Sequence, residues 1–261
     1  VPHVVTLARV VPVALALTII AAADLGLPSE EFWKQRQPWL YVCLIIAFFV
    51  SAASSALNSL ALRSHAASAR AFETEIEAAT AATLMRVVRH LKLDVDQVGV
   101  HVFLASGTFV RGRWLFARLV LVGRLRIGAK PRMHRPRWSP GKGVVGRAWQ
   151  NHTYVAEDWE TVRERGESLG REAWSRLPEA ERYGMSWTEF QASSGYRLIA
   201  ARPVFDLVRQ DHVIGCVAID AQCDLPVEHR ELQSILADLA STVEAMESPP
   251  KTWLQQRKHG Y

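Results

Sequence analysis

A chain of 261 residues has room for one membrane anchor and one domain of ordinary size, which leaves little for a separate catalytic domain. A formal charge of +5 is too modest to imply nucleic acid, and three cysteines are too few for a disulfide scaffold, so a reducing compartment fits best. The hydrophobic fraction of 49% hides a division near residue 63 between a first quarter almost free of charge and a charged remainder.

From Trp39 to Leu62 no residue is charged, and about 20 apolar residues suffice to cross a bilayer core as a helix. Val4 to Ala23, apolar apart from Arg9, reads as an earlier span, giving a transmembrane hairpin over residues 1–63 with an external loop near 24–38. The competing reading of the first segment is a cleaved leader ending at Ala21-Ala22-Ala23, and a Val-Pro start is compatible with processing, an alternative codon or a fragment. Arg63, Arg70, Arg86, Arg89 and Lys92 follow the second span and place the remainder in the cytoplasm of a two-pass cell-membrane protein, although Lys34 and Arg36 in the loop weaken the asymmetry.

No Pro or Gly interrupts Tyr41 to Leu93, so the second span is expected to continue as one helix through a linker at 64–74. Its stripe of Ala69, Phe72, Ile76, Ala79 and Thr83 suits either a weak coiled coil in a homodimer or packing on the domain's own sheet. Leu84, Val87, Val88 and Leu91 form a clearer core-facing stripe. Next come β-type runs at Val98–Leu104 and Trp114–Ile127, parted by a turn-rich Ala105-Ser-Gly107. A short helix at Gly143–Gln150, a charged segment at 157–195, strands at Tyr196–Val204 and Val213–Ile219, and an amphipathic helix at Val227–Met246 complete the order, before a tail at 248–261. Ser186 with Glu189 has the spacing of a capping box, which predicts an ordered helix inside the charged segment.

Four of these segments resemble the GAF family. Ser139-Pro-Gly-Lys-Gly-Val-Val-Gly-Arg-Ala-Trp149 looks like its glycine-punctuated helix start, and Tyr154-Val-Ala-Glu-Asp158 like the short strand or loop that follows. Arg197-Leu-Ile-Ala-Ala-Arg-Pro-Val204 and Val213-Ile-Gly-Cys-Val-Ala-Ile-Asp220 look like its two later strands. Over residues 75–247 the resemblance implies an α+β fold, a central antiparallel sheet with helices on one face and a ligand pocket on the other. The insertion at 157–195 and the arginine at 202 depart from the family pattern. The dispersed signature of cyclic-nucleotide-binding GAF domains is absent, so no cyclic nucleotide is implied.

Between Gln97 and Ala156 there is no Asp or Glu, whereas eleven Lys and Arg residues run from Arg111 to Arg147. Strict alternation along the second strand puts Arg118, Val120, Val122, Arg124 and Arg126 on one face and Leu119, Leu121, Leu125 and Ile127 on the other. The loop after it adds Lys130, Arg132, His134, Arg135 and Arg137, and the helix starting beyond Lys142 offers free N–H groups to an anion. The functional reading is an anionic, nucleotide-like ligand held by Arg124, Arg126, Arg132, Arg135, Lys142, Gly143 and Arg202, with Trp138 or Trp149 as stacking surfaces. Two rival readings stand beside it: a face for anionic lipid, and pairing with the acidic insertion through residues such as Glu160 and Glu164.

Catalysis has no constellation to carry it. Cys216 lies inside a predicted strand, the histidines lack metal-ligand spacing, no cofactor motif is present, and the cysteines do not match the set used by GAF reductases of free methionine sulfoxide. His101 on a strand and His152 at a helix end read as structural or surface residues. The sequence therefore points to a bacterial-type membrane-anchored sensor that binds a small ligand and no nucleic acid. The alternatives are a nucleotide-activated effector whose hairpins perturb the bilayer, and a thiol-dependent reductase.

Overall fold

The computed structural model describes residues 14, 18–22, 24–25, 29–110, 113–128, 138–223, 230–246, 249 and 253–254. The chain divides into two compact units, Val1–Ala67 and Ser68–Tyr261. A helix, α1, spans Glu30–Leu91, contributing its first part to one unit and its remainder to the other.

In the first unit, Tyr41, Ile45, Phe48, Phe49, Leu57, Leu60 and Leu62 are all exposed, Phe48 and Phe49 by 70% and 66%. Among the described residues α1 is the one helix long and apolar enough to cross a membrane, with a mean hydropathy of 1.9 over its most apolar stretch. The expected earlier span at Val4–Ala23 lies almost wholly outside the described residues, of which 14 and 18–22 are helical. Within the segment expected near 24–38, α1 begins at Glu30 and carries Pro38 within it. Glu31 in the first turn lies at the positive end of the helix dipole, which favours this early start.

The second unit is built on a five-stranded antiparallel sheet in the order β2-β1-β5-β4-β3. Its strands are β1 (Val98–Val110), β2 (Arg113–Arg126), β3 (Val155–Asp158), β4 (Leu198–Phe205) and β5 (Val213–Ala221). Between β2 and β3 lies α2 (Gly143–Asn151); between β3 and β4 lie α3 (Trp159–Arg176) and α4 (Trp187–Ala192); α5 (Arg230–Ala245) closes the order. This is an α+β arrangement with a central antiparallel sheet and flanking helices, as the sequence resemblance implied.

Alternation along the two central strands sorts the core into two layers. Val100, Val102, Val217 and Ile219 face the helices, where Phe72, Ile76, Leu84 and Val87 of α1 and Leu232, Ile235, Leu236 and Leu239 of α5 bury against them. Phe72 and Ile76 are only 4% and 1% exposed, and Phe72 meets the ring of Trp253 edge-on at 5.5 Å. The stripe that suited a homodimer seam is thus the bed of the protein's own sheet.

Two expectations for the first hairpin are corrected. Ala105-Ser-Gly107 is not a turn: β1 runs on to Val110, because the irregularities in its pairing are absorbed by extra residues on β2. One of these extra residues is Val122, between the pairs Val102–Gly123 and Phe103–Leu121. The bulge breaks strict alternation, so that Val120 and Val122 face the helices while Arg124 and Arg126 share the opposite face with Leu119 and Leu121.

Ile76→Ala should lower the stability of the second unit by about 2–5 kcal/mol, read from chemical unfolding followed by tryptophan fluorescence. Efficient disulfide-linked dimers from a cysteine placed at position 76 in membranes would contradict this packing.

Candidate functional site

The face of the sheet away from α1 and α5 is covered by α2 and by the inserted helices, and between them lies a cavity of about 60 Å³. The sheet supplies His101 and Phe103 from β1, Ala218 and Asp220 from β5, and Ile199 from β4; Tyr196 precedes β4. Trp138 and the first turn of α2, Gly143 to Val145, form a second wall. The insertion supplies the third, with Trp159, Met185, Glu189, Ala192 and Ser193.

The floor is polar and buried. Asp220 is 5% exposed and receives two partners: the guanidinium of Arg126 donates from Nη2 to Oδ1, and Nε2 of His101 lies 2.7 Å from Oδ2. Gly99 makes the first contact sterically feasible. It pairs with Arg126 on one side and Asp220 on the other, and a Cβ there would stand 2.5 Å from Asp220 Oδ1 and 2.9 Å from Arg126 Nε. His101 in turn pairs with Arg124 across the strands. Burial first, then the charges of Arg124 and Arg126, push the pKa of His101 down to about 3. The bond to Asp220 favours the imidazolium, but Arg126 already compensates that carboxylate, so the neutral ring wins and donates its Nε2–H.

Several donors on this face of the sheet lack acceptors among the described residues, although neither Arg124 nor Arg126 lines the cavity itself. Nε and Nη1 of Arg126, Nε and Nη2 of Arg124 and the hydroxyl of Tyr196 are buried without a hydrogen bond. The Arg126 guanidinium lies 5.9 Å from the centre of the Tyr196 ring. Burial raises the Tyr196 pKa against the opposing pull of the two arginines, so the hydroxyl stays protonated at neutral pH.

The walls are joined to each other. Gly143 has a φ of +62°, and a Cβ there would run into the ring of Trp138, so glycine is required for the close approach. Its N–H donates to the Tyr183 carbonyl at 2.7 Å, which removes one α2 donor from the set open to an anion. Nζ of Lys142 lies 2.6 Å from Oε1 of Glu189. Burial raises the Glu189 pKa, but the bonds from Lys142 and Ser186 outweigh it and leave a net lowering. Ser186 and Glu189 form the reciprocal capping box at the start of α4. Arg147 lies over the Tyr183 ring at 3.4 Å, bonds the Ala180 carbonyl and approaches Glu157 at 3.5 Å.

These contacts locate the residues singled out in the sequence. Trp138 and Gly143 line the cavity, while Arg124 and Arg126 lie on its face of the sheet, Arg126 bonded to the floor. Lys142 is bound to the insertion, and Trp149 is a core residue, 2% exposed. Arg202 pairs with Val217 and lies on the face of Leu198, Ala200 and Val204, away from the cavity. Arg132 and Arg135 lie outside the described residues. Pairing with the insertion runs through Glu189 and Glu157, whereas Glu160 engages Arg163 and Arg197. His101, Asp220 and Gly99 were not recognised as partners in the sequence; an Asp at the end of an otherwise apolar strand was the available signal.

Cys216 is buried under α2, its Sγ 3.7 Å from the Val145 carbonyl, and burial drives its thiol far above the ordinary range. It is not poised as a nucleophile. Among the described residues no group of His, Cys, Asp and Glu could hold a metal ion.

No family model matches the chain, and no curated protein does. Among solved structures, it is similar to a protein from Burkholderia vietnamiensis described as a GAF sensor, at 15% identity and a TM-score of 0.36 over 70% of this chain and 92% of that one. A GAF domain structure gives 13% identity and a TM-score of 0.41 over 65% and 75%. A type II free methionine-R-sulfoxide reductase from Thermoplasma acidophilum gives 13% and 0.42 over 72% and 95%. What the cavity binds has to be argued from its own residues.

Because the folded pKa of His101 lies below the unfolded value of about 6.5, the unfolded chain takes up the proton first. This contribution to stability is whole above pH 6.5 and is lost as the pH falls towards 3. Urea midpoints measured from pH 7.5 to 5 should fall for the wild type and fall less for His101→Gln; parallel slopes would refute the assignment. Gly99→Ala should cost about 1–3 kcal/mol by forcing Arg126 and Asp220 apart, which the same unfolding curves at pH 7.5 would register.

Proposed function

We propose that this chain is a membrane-anchored sensory protein whose α+β unit binds a small ligand in the cavity between the sheet, α2 and the insertion. The observation that carries the reading is the polar floor of His101, Asp220 and Tyr196 inside a cavity walled mainly by Phe103, Trp138, Trp159 and Met185, with Glu189 and Ser193 at the insertion side. A largely apolar cleft with a few convergent polar groups is the usual form of a small-molecule site. The exposed apolar stretch of α1 supports the anchor, and the basic residues that follow it in the sequence support a cytoplasmic α+β unit.

Transmission has a physical route. The strands that carry the floor also carry, on their other face, Val100, Val102 and Ile219, on which Ile76 and Leu84 of α1 rest. A ligand that binds one arrangement of the floor better than another shifts the population of both faces together. The insertion, held to α2 by Lys142–Glu189, is the wall through which a ligand enters or is enclosed.

Native mass spectrometry of the full-length protein released from detergent micelles should show a co-purifying small molecule. A thermal-shift panel on the same protein should identify stabilising compounds. Ala192→Leu fills the cavity from α4 and should remove every such ligand-induced shift while leaving the ligand-free melting temperature nearly unchanged. Stabilisation that survives Ala192→Leu would move the site elsewhere. For the membrane arrangement, a cysteine at Ser29 should label in intact cells and one at Ser241 only after permeabilisation; the reverse pattern would invert the topology.

A further inference from the structure

Among the described residues that line the cavity, Asp220 and Glu189 are the charged ones; no lysine or arginine lines it. Neither carboxylate lacks a countercharge. Asp220 receives Arg126 at Oδ1 and His101 at Oδ2, while Glu189 receives Lys142 at Oε1 and the backbone and hydroxyl of Ser186 at Oε2. A cation entering the cavity would find its anions already compensated, and an anion would meet carboxylate oxygens, so either would give up water without gaining an ion partner. A neutral molecule meets neither penalty. The lining does offer it an acceptor: an ionised carboxylate has about four lone-pair sites, and Asp220, 5% exposed, has two of them filled. Glu189 accepts three donors and its side chain is 22% exposed, so less of its capacity is left for a ligand. The walls of the same cavity are rich in rings. Phe103 and Trp138 meet edge to face with centres 6.5 Å apart, and Trp159 and Tyr196 line the same space. Rings that present both edges and faces favour an aromatic partner through offset and edge-on contacts.

We infer that the ligand is a neutral aromatic molecule carrying an N–H or O–H donor, of the indole or phenol kind, its donor bonded to Asp220 and its ring set among Phe103, Trp138 and Trp159. This rests on the cavity being the ligand site. Arg126 then has a defined role: it compensates the Asp220 charge from outside the cavity, so that the carboxylate accepts a hydrogen bond without drawing a cation. A ring of the same size without a donor keeps the aromatic contacts but loses the bond to a charged acceptor. A charged ring keeps the contacts and brings a charge for which the lining has no partner. Discrimination against both is built into the cavity.

The test is calorimetric titration of the full-length protein in detergent micelles with indole and phenol, the Ala192→Leu protein in the same micelles serving as the blank for partitioning. Benzofuran has the size and shape of indole without the N–H, and benzoate and benzylamine carry a charge of either sign on a ring. Indole should bind about tenfold or more tighter than benzofuran, benzoate or benzylamine, since each of these lacks either the donor or the neutrality. Asp220→Asn leaves a weaker, uncharged acceptor and should cut the preference for indole over benzofuran by about threefold or more. Retained benzofuran binding shows that the variant's cavity is intact; where it is lost, the wild-type comparison alone decides. Equal affinity for indole and benzofuran, an unchanged preference in Asp220→Asn, or a charged ring binding as tightly as indole would overturn the assignment. If another compound binds in an Ala192→Leu-sensitive way while neither indole nor phenol does, the cavity stands and the donor-bearing aromatic falls; if no compound binds and none co-purifies, both fall.

Discussion

The contact between Arg126 and Asp220, made across Gly99, organises the cavity side of this molecule. A carboxylate buried among β-strands cannot stand alone, because leaving a charge uncompensated in such a place costs several kcal/mol. Its partner comes from two strands away, since β1 lies between β2 and β5. Only a residue without a side chain at the intervening position lets the two meet, and Gly99 is paired with both. The partner must also point to the correct face, which the bulge at Val122 secures by turning Arg124 and Arg126 away from the helices. Glycine, bulge, arginine and aspartate therefore act as one device.

That device divides the protein's two faces by chemistry. On the α1 and α5 side, Val100, Val217 and Ile219 belong to an apolar core, and stability there follows area burial. On the other side the same strands present His101 and Asp220, and the covering layer is made of α2 and an insertion tied together by Lys142–Glu189 and Tyr183–Gly143. The insertion is ordered by its own aromatic cluster, with Trp174 and Phe190 stacked at 4.1 Å and Trp159 donating to Ser193 at 2.9 Å. The charged segment is thus a wall with a small core of its own, and its acidic residues serve partly to hold α2.

What could be read in the sequence followed from local rules. The apolar run at Trp39–Leu62, the uninterrupted helix beyond it, the order of strands and helices and the Ser186–Glu189 cap each depend on residues close together in the chain. What could not be read depends on long-range pairing. The bulge at Val122 is a property of two strands in register, so alternation alone grouped Val122 with Arg124 and Arg126. Arg202 was grouped with the pocket because it departs from the family pattern, whereas its position in β4 places it with Leu198 and Val204. His101 and Asp220 are 119 residues apart and Arg126 and Asp220 are 94 apart, so no spacing in the sequence announces either contact. The basic run was conspicuous, but its described members have separate fates: Lys142 and Arg147 are held by the insertion, and Arg126 by Asp220.

The remaining matter is why a fold would keep two arginines, an aspartate and a neutral histidine under a roof of tryptophans. Structural economy does not require them, because buried ionic groups can often be replaced by packed apolar residues at no loss of stability. A purely structural ion pair would also use its donors fully; here Arg126 spends one nitrogen on Asp220 and Arg124 has no ion-pair partner among the described residues. Moving His101 to its neutral form removes one more positive charge from the floor, and the surplus that is left equals one unit.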